Sequence, residues 1–261
     1  MGWPANMIFD FYRVNTLYYL TEGKGKWIIK MLFMEDFKKA AAGAALDLIK
    51  RDMVIGFGAG STIAHLIGFI REVPDLAAGI QAVTSSYSTK ILLQRFGFTI
   101  REMEGLDRID LYFDGCDQFD RQLNALKSGG GIHTREKILA AMAGEFILIG
   151  DESKSVERID GKYPLVVEVI PDALSYVPGR LSGLFDGVRA TVRMAAKKDG
   201  AVITEHGNFL IDCLFADFPE AARVNDLVIG IPGVLEHSLF YGLARRAVVA
   251  GPGGIRIMVP R

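Results

Sequence analysis

Short apolar runs alternate along the chain with longer stretches in which apolar positions recur at helical spacing. Phe37, Ala40, Ala41, Ala44, Ala45 and Leu48 form one such face behind a capping Asp36, which predicts a helix over 36–50. Met53–Phe57 has the character of a buried strand and leads into Gly58-Ala-Gly-Ser-Thr, after which Ile63–Ile70 resumes the helical period. Strand, glycine turn, Ser/Thr cap and helix make one half of a βα unit. The order then returns: a strand over 80–84, a helix from Ser85 or Ser86 to Arg95, strands over 98–101 and 109–113, a helix over 136–143 and a strand over 146–150. Nearly continuous apolar strands separated by helices predict a mainly parallel, doubly wound sheet, because helices then cover both faces of every strand.

After about residue 162 the texture shifts. Leu165–Ile170 reads as a strand closed by Pro171, 172–184 as a helix despite Pro178, and Val188–Arg193 as a half-exposed strand. Val202–Thr204 and Phe209–Cys213 flank a Glu-His-Gly-Asn turn and predict a hairpin. A helix over 219–227 and a strand over 234–240 complete the series. Apart from one extra short strand, this is the β-α-β-β-α-β order of a ferredoxin-like split unit. The expected α/β fold is therefore a Rossmann-like, mainly parallel sheet domain built from 34–162 and 237–261. A smaller ferredoxin-like α+β domain, 163–236, is inserted into it, and the tail 247–259 returns to the first sheet.

Residues 1–33 stand apart. Apolar aromatic stretches at 7–12 and 16–20 are interrupted by Asp10, Arg13, Glu22, Lys24, Lys26 and Lys30. No run there approaches the roughly 20 apolar residues that cross a bilayer, and no secretory signal pattern is present. The segment reads either as an N-terminal extension ahead of a native start at Met34 or Met31, or as a further helix packed on the body.

Composition narrows the functions. With 50% hydrophobic and 23% charged residues, disorder and a fibrous fold are both excluded. The 30 Lys and Arg balance 31 Asp and Glu, so the basic surplus of a nucleic-acid binder is missing, and no partner membrane is expected either. An anionic ligand would have to be small and met by a few local cations. Cys116 and Cys213 cannot form a disulfide framework, and His65, His133, His206 and His237 are scattered. A reducing, cytoplasmic setting and a metal-free chemistry are expected.

Four stretches could carry that chemistry. Gly56-Phe-Gly-Ala-Gly-Ser-Thr offers sharp backbone turns, helix-start N–H groups and the hydroxyls of Ser61 and Thr62, all suited to a phosphate. It lacks the Gly-Lys-Ser/Thr ending of a nucleotide P-loop. Asp114 and Asp117 follow an apolar strand, at the carboxyl end where open α/β sheets place ligands. Lys127 precedes Ser-Gly-Gly-Gly, and Glu136 lies at a helix start nine residues further on. Lys154 follows the 146–150 strand. Each has a plainer reading as a ligand-free turn, a solvated acid or a surface ion pair, but their common placement after consecutive strands argues for one pocket.

The ordered set Gly-x-Gly-Ala-Gly-Ser-Thr, Asp-Gly-Cys-Asp, Lys-Ser-Gly-Gly-Gly, Arg-Glu-Lys, Asp-Glu-Ser-Lys, Pro-Leu-Val-Val-Glu-Val-Ile-Pro and Ile-Pro-Gly-Val, over about 36–258, resembles ribose-5-phosphate isomerase, type A. The resemblance implies interconversion of ribose 5-phosphate and ribulose 5-phosphate in the pentose phosphate pathway. It also implies no metal or organic cofactor and a homodimer or homotetramer. By the same resemblance Glu136 is the proton acceptor. Ala59, Gly60, Ser61, Thr62, Asp114, Gly115, Cys116, Asp117, Lys127, Ser128, Gly129, Gly130 and Lys154 contact the ligand, and Lys38 assists the phosphate.

The residue types suit the reaction. One carboxylate can move a proton between C2 and C1 through an enediolate, the task that falls to Glu136. An ammonium, Lys127, can meet the charge that develops on the substrate oxygens. Asp114 and Asp117 suit the proton transfers that open the sugar ring. Three departures from the family pattern stand out: Cys116 for alanine and Gln118 for glutamate, Ser128 for glycine, and Thr204-Glu-His-Gly-Asn for Thr-Asp-Asn-Gly-Asn. Gln118 is expected to change affinity by removing a charge beside the acids, and the hairpin change to matter little. Two rivals share such a sheet: a non-catalytic sugar-phosphate sensor, which would need a DNA-binding element, and a CoA transferase, which would use a glutamate as nucleophile.

Overall fold

The computed structural model describes residues 37–260; the capping Asp36 and the segment 1–33 lie outside them. The first helix, α1 (37–46), buries Ala41, Ala42 and Ala45. It packs with α2 (Ser61–Arg71) and with Leu93 of α4 (Tyr87–Arg95) on one face of the main sheet. Thr62, Ile63, Leu66, Ile67 and Ile70 form the buried stripe of α2 at three- and four-residue spacing, as an amphipathic helix requires. A short helix, α3 (Pro74–Gly79), which the periodicity does not signal, follows α2.

The main sheet holds β1 (Val54–Phe57), β2 (Gln81–Thr84), β3 (Thr99–Ile100), β4 (Ile109–Asp114), β7 (Ala143–Asp151), β13 (Ala244–Gly251) and β14 (Gly254–Met258). They lie in the order β14-β13-β7-β4-β1-β2-β3. All neighbours are parallel except β13 and β14, a hairpin by which the tail returns to the sheet, as expected. On the opposite face α5 (His133–Met142) packs Leu139 and Ala140 against Tyr112, Phe146 and Val249. The helix starts three residues before the sequence-predicted position, because its N-cap is Ile132 and no capping side chain marks the start.

The second sheet contains β8 (Leu165–Val169), β9 (Arg189–Val192), β10 (Phe209–Leu214) and β11 (Val234–His237) in the antiparallel order β11-β8-β10-β9. One face is covered by α6 (Tyr176–Leu184) and α7 (Ala221–Ile229), through Val177, Leu181, Val224 and Val228. This is the ferredoxin-like arrangement the order predicts, and its strands fall within 165–237. The extra strand 202–204 forms only single-residue bridges, Met194 to Ala201 and Ile203 to Phe209.

A third sheet of three very short strands, β5 (Gln118–Phe119), β6 (Ala125–Leu126) and β12 (Leu239–Phe240), joins the two bodies. The sequence-predicted strand 234–240 is in fact two, split at the fully buried Ser238. Its N–H donates to Val166 O and its Oγ accepts from Val166 N, each at 2.8 Å, while its carbonyl accepts from Lys127 N at 3.0 Å. One serine thus anchors both the second sheet and the backbone of a candidate site residue.

Glu168 makes a further tie. Its buried carboxylate accepts from Thr204 Oγ1 (2.7 Å) and Asn208 Nδ2 (2.9 Å) of the hairpin turn, and from Thr134 Oγ1 in the first turn of α5. Burial alone would raise its pKa, but the three hydrogen bonds outweigh that and hold it below the ordinary glutamate value. The stabilisation is therefore present above the unfolded glutamate pKa and fades as the pH falls through the lower folded value. Glu168→Ala strands the donors and is expected to lower stability by about 2–4 kcal/mol, read from urea unfolding at neutral pH. The Glu-His exchange lies at the exposed tip of this turn, while Thr204 and Asn208 keep the bonds.

Candidate active site

Going from β1 the chain builds outward through β2 and β3, then returns to place β4 on the other side of β1. The crevice beyond β1 and β4 is thus the switch point at which doubly wound sheets bind ligands. A cavity of about 310 Å³ opens there, lined by residues that follow β1, β4 and β7 and by the first turn of α5.

Asp114 ends β4 and is fully buried. Its Oδ1 accepts from Ala59 N (3.2 Å) and Gly115 N (2.8 Å), and its Oδ2 from Tyr112 Oη (2.6 Å). Lys127 Nζ lies 2.8 Å from the same Oδ2, donates to Gly115 O at 2.6 Å and stands 3.5 Å from Glu136 Oε1. The glycine loop takes part in this packing. A Cβ at Gly58 would come within 1.9 Å of the Asp114 carboxyl carbon, and one at Gly56 within 2.7 Å of the Tyr112 ring. These two glycines make room for β4 side chains, not for a ligand. Gly60, at φ 95°, is the N-cap of α2 and has no side-chain cap, so Ser61 begins the helix where the sequence predicts it to precede it. Ser61, Thr62 and Lys38 meet at the cavity wall, an uncapped helix start beside a cation that suits a phosphate.

Electrostatically the centre is one ammonium between two carboxylates. Burial raises the pKa of Glu136 and the charge of Asp114 adds to this, while Lys127 opposes them. Burial works against the charge of Lys127, but Asp114 and Glu136 outweigh it and lift its pKa above the ordinary lysine value. The lysine stays charged and Glu136 holds its proton more firmly than a solvated glutamate. Cys116 reaches the cavity wall, and desolvation pushes its thiol up to about 12, which leaves no thiolate for redox chemistry. His133 and His237 are lowered by burial to about 4 and about 3, so they are neutral at physiological pH. Among the described residues no group of three His, Cys, Asp or Glu side chains is placed to hold a metal ion.

The structure brings Lys38, Ala59, Gly60, Ser61, Thr62, Asp114, Gly115, Cys116, Asp117, Lys127, Gly129, Gly130, Glu136 and Lys154 to this cavity. It does not bring Ser128, whose Oγ donates to Pro164 O (2.5 Å) and whose N–H is held by Asp117 Oδ2 (2.6 Å). Gln118 also points elsewhere. Its amide exchanges two hydrogen bonds with Asp160, at 2.8 and 3.2 Å, so its effect falls on the loop at 160 and not on the acids. Among the cavity residues outside the predicted set, one has a polar side chain: Asp151, the end of β7, whose buried Oδ2 has no protein partner. The signal was available, since it follows a buried strand just as Asp114 does.

A buried carboxylate and ammonium at the switch point of a doubly wound sheet, beside a helix start fit for phosphate, define an α/β enzyme for a small phosphorylated substrate. The family model described as ribose 5-phosphate isomerase A (phosphoriboisomerase A) matches residues 81–254. The chain is 37% identical over 225 residues to ribose-5-phosphate isomerase A of Rhodopseudomonas palustris (strain TIE-1), which covers 85% of this chain and 97% of that one. It is 36% identical over 213 residues to the enzyme of the same name from Thermosynechococcus vestitus, covering 81% of this chain and 89% of the relative. A solved D-ribose-5-phosphate isomerase in complex with phospho-erythronic acid superposes with a TM-score of 0.81 at 36% identity, over 87% of this chain and 99% of that one. The chain belongs to the ribose 5-phosphate isomerase A family and is an isomerase.

Proposed function

We propose that this chain interconverts ribose 5-phosphate and ribulose 5-phosphate through an enediolate, with Glu136 as the base that carries the proton between C2 and C1. The observation that carries the reading is the Glu136–Lys127 pair, 3.5 Å apart and buried in a cavity also lined by the start of α2. Ser61, Thr62 and Lys38 share one cavity with this pair, so a phosphate held by them would supply remote binding energy that orients the reacting carbons. Lys127 meets the negative charge on the substrate oxygens. Asp114 spends both oxygens on protein donors, so it serves as the fixture of Lys127. Asp117 gives Oδ2 to Ser128 N–H and lines the cavity, which leaves it the better placed of the two for the proton transfers of ring opening.

No helix among the described residues is long and apolar enough to cross a membrane. Cys116 and Cys213 are free, which supports a reducing, cytoplasmic setting. Exposed Ile138, Ile229, Leu235 and Tyr241 rim a second cavity of about 520 Å³ between α5, α7 and β11, which supports a homodimer or homotetramer.

The test is conversion of ribose 5-phosphate by the purified chain, followed by the appearance of ketose; no conversion at any pH would overturn the reading. In the same assay Lys38→Ala and Ser61→Ala are expected to raise KM for the phosphorylated sugar with a smaller change in kcat. Calorimetric binding of ribose 5-phosphate unchanged in both variants would remove the phosphate from this helix start.

A further inference from the structure

Tyr112 sits inside β4 and reads in the sequence as one apolar residue of a buried strand. Its ring is fully buried, 5.0 Å from that of Phe146 between centroids. A phenylalanine would fill this space equally well, so the hydroxyl requires its own account. Buried hydroxyls keep partners because an unpaired one carries the full desolvation penalty. This one donates at 2.6 Å to Asp114 Oδ2, the oxygen that also meets Lys127 at 2.8 Å. Gly56 on the neighbouring strand leaves the space that the ring needs.

We propose that Tyr112 is a positioning residue for the isomerisation, its hydroxyl fixing Asp114 and, through Asp114, setting Lys127 at its working distance from Glu136. The inference rests on the reading of Glu136 as base and Lys127 as the partner of the substrate oxygens. The backbone donors Ala59 N and Gly115 N hold only Oδ1 of Asp114. Without Tyr112, Lys127 becomes the sole donor to Oδ2, and the carboxylate draws the ammonium toward itself and away from Glu136. Burial and the negative charges of Asp114 and Glu136 lift the Tyr112 pKa well above the usual tyrosine value, so it acts only as a neutral donor. The charged groups of this cavity are Lys38 on α1, Asp114 at the end of β4 and Asp117 after it, Lys127 after β6, Glu136 on α5, Asp151 at the end of β7 and Lys154 after it; the Cys116 thiol is neutral.

The experiment compares Tyr112→Phe with the parent chain and with Glu136→Gln, by kcat, KM and the pH dependence of kcat/KM. Tyr112→Phe should keep KM for ribose 5-phosphate within about two-fold and lose about ten-fold in kcat, the size expected for a displaced rather than deleted electrophile. The acid limb of its profile should move to higher pH, because a Lys127 drawn away from Glu136 offsets the raised pKa of that carboxyl less. Thermal unfolding of both chains gives the folded fraction by which kcat is corrected. A corrected kcat and an acid limb equal to those of the parent, with Glu136→Gln inactive, would overturn the role of Tyr112 alone. An active Glu136→Gln would instead overturn the reading on which it rests.

Discussion

Glu136→Gln is expected to lower turnover by roughly 10²–10⁴-fold while the fold and the affinity for sugar phosphate stay close to those of the parent chain. Glutamine preserves the shape of a side chain that is only 4% exposed, so packing around the first turn of α5 is kept. What disappears is the group that can take a proton from one carbon and return it to the next. The direction of the pH effect follows from the raised pKa of Glu136: it must lose its proton to act, so the rate climbs as the pH rises through the ionisation of this carboxyl. The measurement is exchange of the substrate C2 proton with solvent deuterium, followed by NMR. Exchange at the parent rate in Glu136→Gln would assign the base elsewhere in the cavity.

Lys127→Met should lose about 10²–10³-fold in kcat even at saturating substrate, the loss typical of removing one donor from a developing oxyanion. Methionine fills much of the volume but leaves Asp114 and Glu136 facing one another with no intervening cation. Breaking such a buried pair costs about 3–5 kcal/mol where the remaining charge stays uncompensated. Here the cost is reduced, because Glu136 can keep its proton and Asp114 retains Tyr112 and two backbone donors. Kinetics at substrate saturation, paired with thermal unfolding, separates the two losses. An active Lys127→Met enzyme would move the electrophilic role to Lys154, a further ammonium on the cavity wall.

The main sheet was legible because its inner strands are mostly buried and therefore form apolar runs. Ile109–Asp114 and Ala143–Asp151 differ from the sequence-predicted strands only at their ends. Sequence-distant side chains on β1, β4, β7 and α5 meet because those strands stop at the same sheet edge, so a motif read at each strand end was enough to assemble most of the cavity. Other parts leave no such trace. Gln118–Phe119, Ala125–Leu126 and Leu239–Phe240 are two-residue strands, too short to show any period. The break at Ser238 arises from bonds to Val166 and Lys127, far away in sequence, and nothing local announces it. The residue type at 118 and 128 was visible, but not the direction of the side chain, which depends on the partners Asp160 and Pro164.

Gly58 and Asp114 are 56 positions apart, yet the space of one is occupied by the carboxylate of the other. Position 58 cannot gain a side chain while the carboxylate stands at 114. A side chain at 58 would have to be matched by a shorter one at 114, and that second change would remove the counter-ion of Lys127 and the anchor of the loop at Ala59. The two sites therefore behave as a single heritable unit, and any lineage that abandoned the carboxylate would also be released from the glycine.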